Sequence, residues 1–291
     1  MIREIQAKTM LSHRKDPDPW FGVKYNMNIY RGCQHQCIYC DSRSECYQIE
    51  DFNDVLVKVN AIPLLRKELT SKRIKGTIGF GSMSDPYTPA EADYCLTRQA
   101  LEVIAEMRFP VHMLTKSDLV LRDMDLLQQI NQVFAIVSFT ITTTDDTLAT
   151  ILEPYAPLPS ERLRALQTLA ENGIRSGVML MPVLPFLEDT PENITAIVEA
   201  AFAHGASYIL PAMGLTLRDR QRDYYLQRLD EHFPGLSEKY QRTYGSSYSC
   251  PPVNAKALYQ HFEQQCQRHG IATRVPQYIP PPAQSEQLSL F

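Results

Sequence analysis

The sequence predicts an α/β fold: a partial (β/α)6 barrel, TIM-like but left open, with a helical C-terminal module and a disordered tail. Three observations carry this. Between residues 25 and 213, apolar runs of strand length alternate six times with amphipathic stretches of helix length, the signature of a parallel sheet joined by right-handed crossovers. From 214 to 275 the strand-like runs give way to helical ones. From 276 to 291 the chain holds Pro280, Pro281 and Pro282 and then Gln, Ser and Glu, a composition that cannot fill a core.

Residues 1–24 read as an irregular arm closing on Pro17, Pro19 and Trp20. The run 27–32 reads as the first strand, and 52–69 as a helix with Val55, Val59, Ile62 and Leu65 on one face. Strands are expected at 76–81, 110–116, 133–142, 177–186 and 206–213, and helices at 91–107, 123–130, 160–172 (capped by Ser160) and 191–203. Beyond them, 216–233 and 253–269 read as helices on either side of a tyrosine-rich stretch, Tyr240 to Tyr248. The unusual residues Cys33, Ser82 to Asp85, Lys116, Ser138 and Pro185 fall at strand ends, the edge where barrel-like α/β folds build their sites.

The 291 residues are 44% hydrophobic and 21% charged, enough to fill a sizeable core. No apolar run reaches spanning length, and Arg3, Glu4 and Lys8 interrupt the N-terminus, so a soluble, cytoplasmic protein is expected. A net charge of −4 gives no global case for nucleic-acid binding, although residues 216–275 carry a basic surplus behind an acidic body. In Arg218 to Tyr225, cations mix with tyrosines; phosphate contact with base stacking, or ordinary helical charge pairing, would each explain them.

Seven cysteines, an odd number, argue against a disulfide framework, and three of them crowd into Gly32-Cys33-Gln34-His35-Gln36-Cys37-Ile38-Tyr39-Cys40. Three thiolates on a loop after a strand suit three irons of one cubane cluster, leaving the fourth open to a substrate. A zinc knuckle with His35 as fourth ligand is the alternative. His35 lies only two residues after Cys33, and no second half-site follows.

This C-x3-C-x-aromatic-C loop resembles that of the radical S-adenosylmethionine (SAM) superfamily, over residues 27–213. More narrowly, NIYRGCQHQCIYC with SMSDPYTPAE and TKSDLVLRD is similar to the spore photoproduct lyase branch, which reverses a thymine dimer in DNA. The resemblance implies a [4Fe–4S] cluster on Cys33, Cys37 and Cys40, and a bound SAM cleaved to a 5′-deoxyadenosyl radical. An electron donor such as a reductase, flavodoxin or ferredoxin is implied with it. It implies that Lys116 and Ser138 meet the SAM carboxylate, and that Ser82 or Ser84, with Asp85, meets the amino group. Tyr39 and the backbone at Leu184 and Pro185 would border the adenine, and Glu153 would touch the ribose or cap a helix. The branch returns a hydrogen atom from a cysteine on the second strand, but Gly79 to Ser84 contains none. Cys250, with Tyr248 or Tyr244 as relay, is the candidate donor, and Cys46 the second; Cys95 and Cys266 read as core.

The chain ends Gln287-Leu288-Ser289-Leu290-Phe291, which resembles the peptide by which bacterial repair proteins bind the DNA sliding clamp. A glutamine anchor and an apolar plug on a flexible linker suit capture in a groove. The expectation is therefore a radical SAM enzyme repairing or modifying DNA while tethered to the clamp. A radical SAM enzyme acting on RNA, a peptide or a small molecule is one alternative. A clamp-associated iron–sulfur sensor without turnover is the other.

Overall fold

The computed structural model describes residues 1–52 and 54–280. Seven strands form the central sheet: β1 (Leu11–His13), β2 (Val23–Met27), β3 (Thr77–Phe80), β4 (Val111–Thr115), β5 (Ala135–Thr140), β6 (Arg175–Val183) and β7 (Tyr208–Met213). They lie side by side in chain order. β2 to β7 are all parallel, and β1 adds to β2 antiparallel at one edge. β7 forms the other edge, so the sheet is open.

Side chains alternate across the sheet as the pleat requires. Val111, Met113, Val137, Phe139, Val178, Leu180 and Ile209 pack with the helices in the main core. Ile136, Met179 and Tyr208 face the other way, with Leu114, Met181 and Leu210 against them. Gly177 makes this second layer possible. A Cβ there would lie 2.5 Å from the Tyr208 ring, which crosses over β6 to reach β5.

Several expectations change. The stretch 52–69 is not one helix: Val55–Lys58 is a strand, and the helix is Ala61–Thr70. Val55 and Val57 are fully buried while Leu56 and Lys58 are not, a period of two that the helical reading overlooked. That strand pairs with Ile2–Ile5 and Tyr30–Arg31 in a three-stranded sheet, so the arm is partly ordered as strand. The expected strand 27–32 is split, its start closing β2 and Tyr30–Arg31 turning into the small sheet. The helix over 91–107 breaks at Cys95, which takes φ 50°.

Ser160 is not a cap. Pro159 opens that helix, Glu161 accepts from the Leu158 N–H at 2.7 Å, and Ser160 donates to Asp146 from the unexpected helix Asp146–Leu152.

Residues 214–275 do not build a core of their own. The helix Ala255–His269 contributes Leu258, Phe262 and Cys266 to the main core. The helices Asp219–His232 and Leu236–Tyr244 join Cys37, Ile38, Tyr39 and Leu184 in a second apolar cluster. Of the tail expected to be disordered, residues 276–280 are docked: Gln277 donates to the Pro19 carbonyl at 3.1 Å, and the Tyr278 ring lies 6.0 Å from that of Phe134. Gln287, Leu288, Ser289, Leu290 and Phe291 lie outside the described residues. Among the described residues, no helix is long and apolar enough to cross a membrane.

Candidate active site: the cysteine-lined cavity

A cavity of about 360 Å³ opens at the C-terminal ends of β3, β4, β5 and β6. The cysteine loop closes one side, and the turn after β3 and the Gly214–Thr216 stretch complete the wall. Gly81 allows that turn. It takes φ +89°, and a Cβ on it would lie 2.0 Å from the Leu114 carbonyl oxygen.

Cys33, Cys37 and Cys40 all line the cavity as free thiols. The loop carrying them is tied at many points. The Gln34 N–H donates to Thr88 Oγ1 at 3.0 Å, and Gln34 Oε1 accepts from the Ala90 N–H at 2.7 Å. The Ile38 N–H donates to the Leu152 carbonyl at 2.9 Å, and the Gln36 amide donates to the Cys33 carbonyl at 3.0 Å. The Arg43 guanidinium lies between the rings of Phe52 and Tyr224, 4.2 and 3.8 Å from their centroids, and donates to the Cys37 carbonyl. A loop fastened this way presents its thiols without reorganising.

His35 faces Asp85 through Nδ1 at 3.4 Å, and the two are buried. Burial opposes the imidazolium, but the Cys33 and Asp85 anions beside it raise its pKa to about 10. Burial likewise opposes the Asp85 carboxylate, yet His35, Thr115 and the Lys116 N–H bring it down to about 2. Burial works against a Cys33 thiolate as well, and His35 more than offsets it. His35 is thus a charge partner for Cys33, and it points at Asp85 rather than joining a zinc set. Among the described residues, no three His, Cys, Asp or Glu side chains are gathered to hold a single ion.

A second buried network lies below. Glu153 accepts from Tyr39 OH and pairs with Arg162, and Lys116 Nζ lies 3.8 Å from its carboxylate. Burial alone would raise the Glu153 carboxyl; Arg162 and Lys116 hold it below the usual carboxylate range. Arg162 is anchored in turn on the Thr140 and Pro157 carbonyls. Glu153 is the C-terminal cap residue of the helix Asp146–Leu152, its N–H donating to the Ala149 carbonyl at 2.8 Å. Its side chain does not line the cavity but braces Tyr39 and Lys116.

The expected contact residues divide into two groups. Tyr39, Ser82, Ser84, Asp85 and Lys116 all line the cavity. Ser84 Oγ is buried without a protein partner. Ser82 bonds to Asn26. Both Asp85 oxygens are engaged, with Thr115 and Tyr87 on one and the Lys116 N–H and His35 on the other. The Tyr39 carbonyl accepts from Gln221 at 3.2 Å.

Five other residues fall away from the cavity. Ser138 is fully buried one layer down, 2.7 Å from His112 Nε2 and bonded to Tyr208 OH. Thr140, two residues on and on the same face, lines the cavity in its place. Leu184 is fully buried in the second cluster, its N–H donating to Glu188, while Met181 and Pro182 form that wall. The Pro185 carbonyl accepts from Tyr240 at 2.8 Å. Cys250 is fully buried, its thiol toward the Ser247 carbonyl, and Tyr248 is half exposed beneath Arg218. Neither lines the cavity. Among the described residues, the thiols on its wall are those of the loop alone, and Cys46 lines an adjoining cleft.

The helix opening at Asp219 also serves the loop. Asp219 accepts from Ser44 at 2.7 Å, Arg220 donates to the carbonyls of Arg43, Ile49 and Glu50, and Arg218 pairs with Asp41. These cations, read in the sequence as phosphate ligands or solvated pairs, hold the rear of the cysteine loop. The loop and this helix are about 180 residues apart, so local spacing carried no signal of the contact.

The sequence model of the radical SAM superfamily matches residues 27–201. The chain belongs to the radical SAM superfamily. Members use a [4Fe–4S] cluster and SAM. The chain is 40% identical over 191 residues to an uncharacterized protein of Methanocaldococcus jannaschii, covering 65% of this chain and 70% of the relative. It is 31% identical over 244 residues to an uncharacterized protein of Mycobacterium tuberculosis, covering 81% and 71%. In fold it is similar to a spore photoproduct lyase variant solved with bound AdoMet and dinucleoside spore photoproduct. The TM-score is 0.68 at 16% identity, over 94% of this chain and 82% of that one. The radical SAM cofactors fit the residues present: three free thiols, the Lys116 ammonium and the unpartnered Ser84 hydroxyl share one cavity wall.

Proposed function

We propose that this radical SAM enzyme acts on a base in DNA, repairing a lesion or modifying the base, at the mouth of a partial (β/α)6 barrel. The observation that carries the reading is the single cavity that gathers Cys33, Cys37, Cys40, Lys116 and Ser84. When bound, the cluster and SAM supply a 5′-deoxyadenosyl radical able to abstract hydrogen. In this reading Cys33, Cys37 and Cys40 ligate the cluster, with His35 stabilising the Cys33 thiolate. Lys116, steadied by Glu153, pairs with the SAM carboxylate, and Ser84 and Thr140 donate to its polar end. The chain's likeness to a lyase solved with a dinucleoside photoproduct supports a nucleic-acid substrate. The chain end Gln287-Leu288-Ser289-Leu290-Phe291 supports tethering to the sliding clamp, which would raise the local concentration at DNA despite the net charge of −4.

The test is anaerobic. Reconstituted protein receives dithionite, SAM and either ultraviolet-irradiated or plain duplex DNA. We expect 5′-deoxyadenosine that is lost in Cys33→Ala, Cys37→Ala or Cys40→Ala, together with a mass change in a DNA base. Cleavage with DNA unchanged moves the substrate to RNA, a peptide or a small molecule; no cleavage with the cluster verified favours a sensor. Pull-down of the sliding clamp by the full chain, but not by one lacking 287–291, tests the tether separately.

A further inference from the structure

Beside the cysteine-lined cavity lies a second cleft, of about 520 Å³, that the reading above leaves unused. Tyr47 and Met83 belong to the walls of both, so the cleft begins where the cavity ends. Its floor comes from the small sheet and the arm. Lys58 ends the strand Val55–Lys58, Arg31 ends Tyr30–Arg31, and Lys8 follows Ile2–Ile5. Among the described residues, no aspartate or glutamate lines it.

That charge arrangement is costly as it stands. Lys58 is half-buried and donates to the Asn28 carbonyl at 2.6 Å, and Arg31 donates to the Tyr47 and Gln48 carbonyls. Among the described residues, neither makes an ion pair with a carboxylate, although Arg66, Arg98, Arg122 and Arg162 all do. Burial, and then the repulsion of Arg31, push the Lys58 ammonium below its ordinary pKa. Two neighbouring cations held without a counter-charge gain most from an anion placed between them. Asn28 couples the place to the cavity, since its Oδ1 accepts from the Met83 N–H and its amide reaches Ser82.

We propose that this cleft seats a backbone phosphate of the DNA strand whose base enters the cysteine-lined cavity, held by Lys58, Arg31 and Lys8. The assignment rests on the nucleic-acid reading above and adds the positioning site that reading lacks. Phosphate contacts of this kind set register rather than sequence preference. The site also accounts for an acidic protein binding a polyanion, because the charge is local.

The test uses full-length reconstituted protein and a short labelled single-stranded DNA, with anisotropy read between about 50 and about 200 mM salt. In Lys8→Gln with Lys58→Gln, the slope of log affinity against log salt should fall by about 0.7, the share of the one phosphate the cleft seats, with affinity down roughly tenfold. Arg31→Gln should add to the loss. Because Arg31 also holds the backbone at Tyr47, iron content per chain controls for folding, and Lys8→Glu, at an exposed site, gives a charge reversal that leaves the fold intact. Wild-type binding with slope and affinity unchanged in the double variant overturns this assignment alone. Wild-type protein that binds no DNA overturns it together with the nucleic-acid reading. Saturation of the cleft by inorganic phosphate that fails to compete with DNA shows a free-anion site and also overturns it.

Discussion

At Glu153 a single carboxylate carries three partners, and its value lies in the charges it neutralises. Removing one member of a buried ion-pair network leaves the others uncompensated. Glu153→Gln should therefore cost about 3–5 kcal/mol, read by guanidinium unfolding, because it strands Arg162 at 1% exposure. Lys116→Met should lower SAM affinity by roughly 10–100-fold, the worth of a charge-assisted hydrogen bond, while iron content is retained; isothermal titration with SAM checks it. His112 supplies a pH signature. Its Nδ1 faces the Phe21 carbonyl, so it donates there, and Nε2 accepts from Ser138. Burial pushes its pKa down to about 4 from 6.5. The unfolded chain then binds a proton that the folded chain refuses between those values, so stability is full above pH 6.5 and falls toward pH 4. Unfolding free energy should drop by about 2 kcal/mol from pH 7 to pH 5 on this account, and His112→Gln should flatten that slope.

On the scale of elements, β6 depends on one missing side chain. Gly177→Ala places a methyl into the Tyr208 ring, and overpacking of this kind costs about 1–3 kcal/mol. Thermal unfolding should show that loss. It should be less than additive with Tyr208→Ala, since removing the ring removes the clash. The helix Asp219–His232 acts as a brace for the cysteine loop. Arg220→Ala frees the carbonyls of Arg43, Ile49 and Glu50. Iron should then be lost to a chelator several-fold faster in the variant, and an unchanged rate would argue against the bracing role. The elements most legible in the sequence were those with one strong period. β4, β5 and the helix Pro191–Ala203 fall within two residues of expectation. The stretch 52–69 misled because Val55, Val59, Ile62 and Leu65 satisfy a helical spacing while Val55 and Val57 satisfy a strand, and pairing with Ile2–Ile5 decides between them.

Across the whole molecule, the two ends of the chain complete the fold. The N-terminal arm supplies strands to two sheets, and the helix Ala255–His269 closes the main core. Deleting residues 253–291 should therefore abolish cooperative thermal unfolding, because Leu258, Phe262 and Cys266 leave a core they help fill. The sequence by itself determined the alternation of strands and helices and the loop of three cysteines at a strand end. Those signals are local: a hydrophobic period, and three thiols within eight residues. It also determined Lys116, Ser82, Ser84 and Asp85 as cavity residues, because strand ends converge at one edge of a parallel sheet wherever they occur. Only the tertiary structure decided the rest. Ser138 and Thr140 share one face, and depth in the sheet alone separates the buried hydroxyl from the one that lines the cavity. Arg218 and Arg220 owe their surroundings to contacts across 170 residues or more, Cys250 owes its place to pairing with Leu215, and the cationic cleft at Lys58 owes its form to the folding of the arm across the small sheet. Side-chain type gives the chemistry a residue can do; the long-range packing that sets burial and charge neighbours gives the place where it does it.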